Sequence, residues 1–138
     1  MTKLIQLAFL ALATPMLGTT AGLAASPAGR FCGEVISQGD YRDIQTSLSV
    51  DRDGRLSGTY KVEGLNGRMD GTLAEKDAGD GLTRTLLWTD QDGTGLARLH
   101  FTDDYQGFTG SWGGSQAGRF DPPVHSWTGT RCPTSPVH

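Results

Sequence analysis

The sequence predicts an all-β fold, and within that class a small closed eight-stranded antiparallel up-and-down barrel; a β-sandwich is the alternative. Three observations carry this expectation. Beyond residue 26 helix signals are almost absent, while segments of five to nine residues alternate in polarity between turn-forming residues. A glycine-centred repeat runs through those segments. Two cysteines near the ends of the mature chain have phases that suit neighbouring strands.

Taken in order, the first element is a leader. Lys3 gives a positive start, residues 4–17 are largely apolar, and small residues follow at Gly22, Ala24 and Ala25. This is the order of a secretory signal peptide, expected over 1–25. The apolar run is shorter than the roughly 20 residues a membrane span needs, and Pro15 interrupts it. No cysteine follows the cleavage point directly, so no lipid anchor is expected there. Cleavage after Ala25 leaves 113 of the 138 residues, enough for one small domain, expected over 26–132. Pro133 and Pro136 mark a tail, 133–138, expected to be disordered.

Eight strands are expected at 29–37, 43–51, 55–63, 67–75, 82–90, 95–102, 107–113 and 124–132. Asp-Gly pairs at Asp53-Gly54, Asp70-Gly71, Asp80-Gly81 and Asp92-Gly93 punctuate the chain. Most connections are short enough for hairpins. The exceptions are an open link at 38–42 and a long loop at 114–123. The first strand carries Phe31-x-Gly33-x-Val35, the third Leu56-x-Gly58-x-Tyr60 and the fourth Met69-x-Gly71-x-Leu73. The seventh carries Phe108-x-Gly110-x-Trp112, and the last closes on Trp127-x-Gly129-x-Arg131. Strand side chains alternate faces, so each glycine shares a face with its bulky neighbours. Glycine weakens a strand unless the sheet bends sharply or another group approaches closely. Repeated on the apolar face, it suits a tightly coiled sheet around a narrow core.

Cys32 lies out of phase with Phe31 and Val35, and Cys132 out of phase with Trp127 and Arg131, so both are expected to point outward. In a closed eight-stranded meander the first and last strands are neighbours, which puts the two within bonding reach. A Cys32–Cys132 disulfide is therefore expected, as suits an exported chain. Free thiols or an intermolecular bridge are the alternatives.

Composition narrows the function classes. Removing Lys3 leaves 11 basic residues against 15 acidic ones. Such a chain lacks a basic stripe for phosphates, which argues against nucleic acid and anionic membranes. The mature chain's one asparagine, Asn66, heads no glycosylation sequon. A periplasmic or secreted monomer is expected, with no cofactor.

The stretch Gly54-Arg55-Leu56-Ser57-Gly58-Thr59-Tyr60 resembles the second-strand signature of avidin and streptavidin, eight-stranded barrels that bind biotin. The resemblance implies a ligand contact for Tyr60. Val62 stands where that family has a polar ligand contact, and the first strand lacks its Gly-x-Trp, so biotin itself is not implied. Across most of the mature chain, Ala97-x-Leu99-x-Phe101, Phe108-x-Gly110-x-Trp112 and Trp127-x-Gly129 look like a loose group of small secreted bacterial barrels of unassigned function. That similarity implies a fold and no activity.

Chemical motifs are few. Asp51-Arg52-Asp53-Gly54 and Asp90-Gln91-Asp92-Gly93 begin like calcium loops, but position 12 is Val62 or Phe101 instead of a glutamate, and hairpin turns are the expected role. His100, His125 and His138 have no metal-ligand spacing. His100 is expected to face solvent, and His125 to sit near a barrel mouth. No nucleophile elbow is present, and the Asp103-Asp104 pair shows no cleft, so no enzyme is expected. The inward face is the better candidate. By phase it includes Tyr60, Arg84, Trp88, Trp112, Trp127 and Arg131, although Leu86 and Leu87 leave the phase of Arg84 ambiguous. An eight-stranded barrel is either filled by side chains or wide enough for one small ligand. The six residues are the candidate ligand-binding set for a small apolar or amphipathic molecule; a filled core is the competing use of the same residues. A periplasmic inhibitor or immunity-type protein is the alternative function. Its basic protein target would meet loops at 40–43, 103–105 and around Arg119 and Phe120.

Overall fold

Alternation of polar and apolar side chains places the hydrophobic residues of every long strand on one face. The computed structural model describes residues 25–64, 66–77 and 81–134. Its long strands are β1 (Gly29–Ser37), β2 (Asp40–Val50), β3 (Leu56–Gly64), β4 (Gly67–Glu75), β5 (Thr83–Asp90), β6 (Gly93–Phe101) and β7 (Gly107–Trp112). Two short strands, β8 (Ser115–Gln116) and β9 (Arg119–Phe120), precede the last long one, β10 (His125–Arg131). The eight long strands form a closed antiparallel barrel in the order β1-β10-β7-β6-β5-β4-β3-β2. Apart from the closing pair β1–β10, each long strand pairs with the long strands that flank it along the chain, the topology expected of an up-and-down barrel.

The seam between β1 and β10 pairs Phe31 with Arg131, Cys32 with Thr130 and Val35 with Trp127. Just beyond it Cys132 bonds to Cys32, with the Cα atoms 4.9 Å apart and 100 residues between them. The disulfide thus locks the closure that hydrogen bonds make. Closure also leaves no long strand edge open to another chain.

The interior is a continuous apolar cluster in which Phe31, Leu56, Leu86, Ala97 and Leu99 are wholly buried. Phe31, Phe101 and Phe108 stack edge-to-face or tilted, with centroids 5.4 to 5.9 Å apart. Every buried side-chain polar atom among the described residues has a hydrogen-bond partner. The repeat glycines serve this interior in two ways. At Gly33 a Cβ would lie 2.0 Å from the Thr128 carbonyl oxygen, so its absence lets strands approach. At Gly71 a Cβ would lie 2.1 Å from Tyr60 Cζ, so its absence makes room for the phenol ring.

Several sequence expectations change. The 38–42 link is a two-residue turn, because Gln38 (φ 53°) and Gly39 (φ 82°) both adopt left-handed conformations and β2 begins at Asp40. Asp70-Gly71 is no turn; it lies within β4, where Gly71 faces the Tyr60 ring. The 114–123 loop contains the β8–β9 hairpin. Arg84 points inward and is 5% exposed, which settles its phase. The leader expected over 1–25 lies, except for Ala25, outside the described residues; so does the tail beyond Thr134.

Candidate functional site

Strand direction alternates around the barrel, so its two ends are built from different connections. One end gathers the 25–28 segment, the β2–β3, β4–β5 and β6–β7 connections and the chain's last described residues. The other, here the mouth, gathers the turns after β1, β3 and β5 and the long β7–β10 connection.

The first end is closed by two arginines. Arg84 makes a two-pronged ion pair with Glu75, Nε to Oε2 and Nη2 to Oε1 at 2.6 Å each, and also donates to the Gly54 carbonyl at 2.5 Å. Glu75 Oε1 in turn accepts from the Leu56 amide at 3.1 Å. Arg131 lies 4.4 Å over the Phe31 ring and donates to the backbone carbonyls of Tyr105 (3.0 Å), Ser26 (2.6 Å) and Ala28. Tyr105, at φ 55°, packs its ring 5.6 Å from Phe101 and plugs the same end. Its loop is held by Asp104 Oδ1, which accepts from the Thr102 hydroxyl and the Gln106 amide. Those bonds favour the ionised carboxyl and hold Asp104 below the usual aspartate range.

The mouth is different. There a cavity of about 70 Å³ opens to solvent between Tyr60, Trp88, Trp112 and Trp127. Val35, Ile44, Val62 and Met69 complete its apolar lining, and Ser37, Asp90 and Asp92 supply the polar rim. The aromatic residues come from β3, β5, β7 and β10; Trp88, Trp112 and Trp127 lie near the mouth ends of their strands, and Tyr60 reaches the cavity from the middle of β3. They form two near-perpendicular pairs: Trp88 on Trp112 (5.5 Å, 88°) and Tyr60 on Trp127 (5.1 Å, 76°).

Hydrogen bonds fix these rings. The indole N–H groups of Trp88, Trp112 and Trp127 donate to Gly113 O (2.8 Å), Ile36 O (2.9 Å) and Thr46 Oγ1 (3.1 Å). The Tyr60 hydroxyl donates to Asp90 Oδ2 at 2.6 Å, while Asp90 Oδ1 accepts from the Asp92 amide at 2.8 Å. Burial and the neighbouring Asp90 carboxylate push the Tyr60 phenol far above its ordinary pKa, so the phenol stays neutral. His125 stacks on the outer side of the mouth, 4.7 Å from the Trp112 ring, and is exposed.

Of the six inward residues expected from the sequence, the barrel brings Tyr60, Trp88, Trp112 and Trp127 together and sends Arg84 and Arg131 to the opposite end. The interior between is filled, so filled core and open pocket each describe part of the barrel. Asp90 and Asp92 form the turn the sequence predicts, with Gly93 at φ 143°. Asp90 is also two residues from Trp88 and shares its face, a signal the sequence offered. The three loop segments expected to form one protein-binding surface do not: 40–43 starts β2 at the mouth, 103–105 closes the far end, and Phe120 lies on β9 beside Leu87 and Leu96 on the outer wall.

Fold and site together define an eight-stranded up-and-down barrel with a filled interior and an aromatic, acid-rimmed mouth. Comparison of the chain with protein-family models and with curated proteins gives no match.

Proposed function

We propose that this protein is an exported, non-enzymatic binding barrel that takes part of a small amphipathic ligand into its mouth. The observation that carries the reading is the convergence of Tyr60, Trp88, Trp112 and Trp127 on one solvent-open cavity. Small-molecule sites are concave and mostly apolar, with a few fixed polar groups, which is the make-up of this mouth. The volume accommodates about two waters, so a ligand inserts a head or tail and leaves the rest outside. The resemblance of the 54–60 strand to avidin and streptavidin adds weight to Tyr60 as a contact. Export is supported by the leader pattern of residues 1–25 and by a disulfide consistent with an oxidising compartment, periplasmic or extracellular. Docking of a basic protein through the loops has less support, because the acidic and aromatic segments lie at opposite ends of the barrel.

Native mass spectrometry of the protein purified gently from its host tests the reading. A bound species of a few hundred daltons, lost on Trp112→Ala, is the expected result. A bare monomer from every preparation, together with no thermal shift across a metabolite and lipid library, overturns it.

A further inference from the structure

We infer that the ligand's inserted group is a small organic cation, an alkylammonium head, held by the aromatic mouth and the Asp90–Asp92 rim. The inference rests on the binding reading above and names the chemistry of its ligand.

All three indole N–H groups at the cavity are already committed to protein acceptors, and so is the Tyr60 hydroxyl proton. What these side chains still offer is ring surface and the phenol oxygen's lone pairs. Asp90 and Asp92 add carboxylate lone pairs, and among the described lining residues the Ser37 hydroxyl is the one side-chain donor left to offer. Among the described residues no lysine, arginine or histidine lines the cavity; Arg42, at the start of β2 by the mouth, donates its Nε to the Ser37 carbonyl at 3.3 Å, and His125 stacks on Trp112. A carboxylate or phosphate entering it would lose its water and meet two like charges. A neutral alkyl group would be accepted by the rings but would gain nothing from the rim. An alkylammonium head gains from both, since aromatic rings attract cations through their quadrupole and the carboxylates supply the opposite charge. The size agrees: a cavity of about 70 Å³ suits a head of a few heavy atoms.

The test is a titration of the full oxidised protein with three probes of similar shape, followed by tryptophan fluorescence and calorimetry. Choline is the cation, 3,3-dimethylbutan-1-ol its neutral counterpart and 3,3-dimethylbutanoate the anion. Choline should bind at least about tenfold tighter than the alcohol, with the anion weakest. Asp92→Asn, at an exposed turn position, should weaken choline several-fold and leave the alcohol unchanged. Equal binding of choline and the alcohol overturns the cation inference while leaving an amphipathic-binding barrel in place. Tightest binding by the anion, or no response to any probe, also overturns it. The ligand recovered by native mass spectrometry then judges the broader reading separately.

Discussion

The Tyr60 hydroxyl donates to Asp90 Oδ2 across 2.6 Å, joining β3 to the end of β5 over the barrel mouth. One hydrogen bond thereby fixes both an aromatic wall and an acid of the cavity rim. Because burial and Asp90 raise the folded-state pKa of Tyr60, the neutral phenol contributes its full stability below the unfolded value of about 10. That contribution is lost as pH rises above it. The urea midpoint of the wild type should therefore fall more steeply than that of Tyr60→Phe between about pH 9 and pH 11. Parallel profiles would contradict the assignment. At neutral pH the substitution should cost about 1 kcal/mol, since Asp90 is only partly buried and water can replace the phenol.

Asp104 gives the opposite pH signature at the other end. Its folded-state pKa is depressed by the Thr102 hydroxyl and the Gln106 amide, so its stabilisation is present above the unfolded value and lost as pH falls through the folded one. The stability difference between the wild type and Asp104→Asn should shrink on going from about pH 6 to pH 3, near and below the ordinary aspartate value. A difference that holds constant down to that pH would show that the carboxylate charge is irrelevant to the loop.

The buried Arg84–Glu75 pair should behave as a unit. Glu75→Leu alone removes the carboxylate from a guanidinium whose side chain is 5% exposed, leaving a buried charge uncompensated, and should destabilise the barrel by about 3–5 kcal/mol. Combining it with Arg84→Met should recover most of that loss, as read from urea midpoints. Additive losses would indicate that each residue acts through separate contacts. Probe binding at the mouth should survive the double change, because the pair sits at the other end.

Gly71→Ala places a methyl group against the Tyr60 ring. Overpacking of this kind costs about 1–3 kcal/mol. It should also displace the phenol and weaken binding at the mouth, a coupling that chemical denaturation and a probe titration measure together. Unchanged stability would mean that the ring moves aside freely.

Removal of the disulfide by Cys32→Ser and Cys132→Ser should lower the melting temperature strongly while leaving strand content near room temperature intact by circular dichroism. The loop of 100 residues sets the scale at about 4.7 kcal/mol in the chain-entropy account. Two titratable thiols in the oxidised wild type would refute the bridge.

Much of the barrel was legible because its strands share one grammar. Phe31-x-Gly33, Leu56-x-Gly58 and Phe108-x-Gly110 announce both the strand and its inward face, and the outward phases of Cys32 and Cys132 imply closure. The start of β2 was hidden because its turn puts Gln38, a residue with a Cβ, in a left-handed conformation where glycine or asparagine is usual. The site was legible only by half. Alternation tells which face a side chain occupies but not its height along the barrel axis, which depends on strand tilt and on register across several pairs. Trp88 and Arg84 share a face of β5, yet one lines the mouth and the other closes the far end. For the same reason Glu75, a strand-end acid in the sequence, gave no sign of being the partner of Arg84.

The most direct test of the account is nuclear magnetic resonance of the oxidised protein titrated with choline and 3,3-dimethylbutan-1-ol. The indole N–H signals of Trp88, Trp112 and Trp127 should move together, while the Nε–H signals of Arg84 and Arg131 stay fixed. Indole signals unmoved by both probes, or arginine signals that shift as far as the indoles, would contradict a binding site at the mouth.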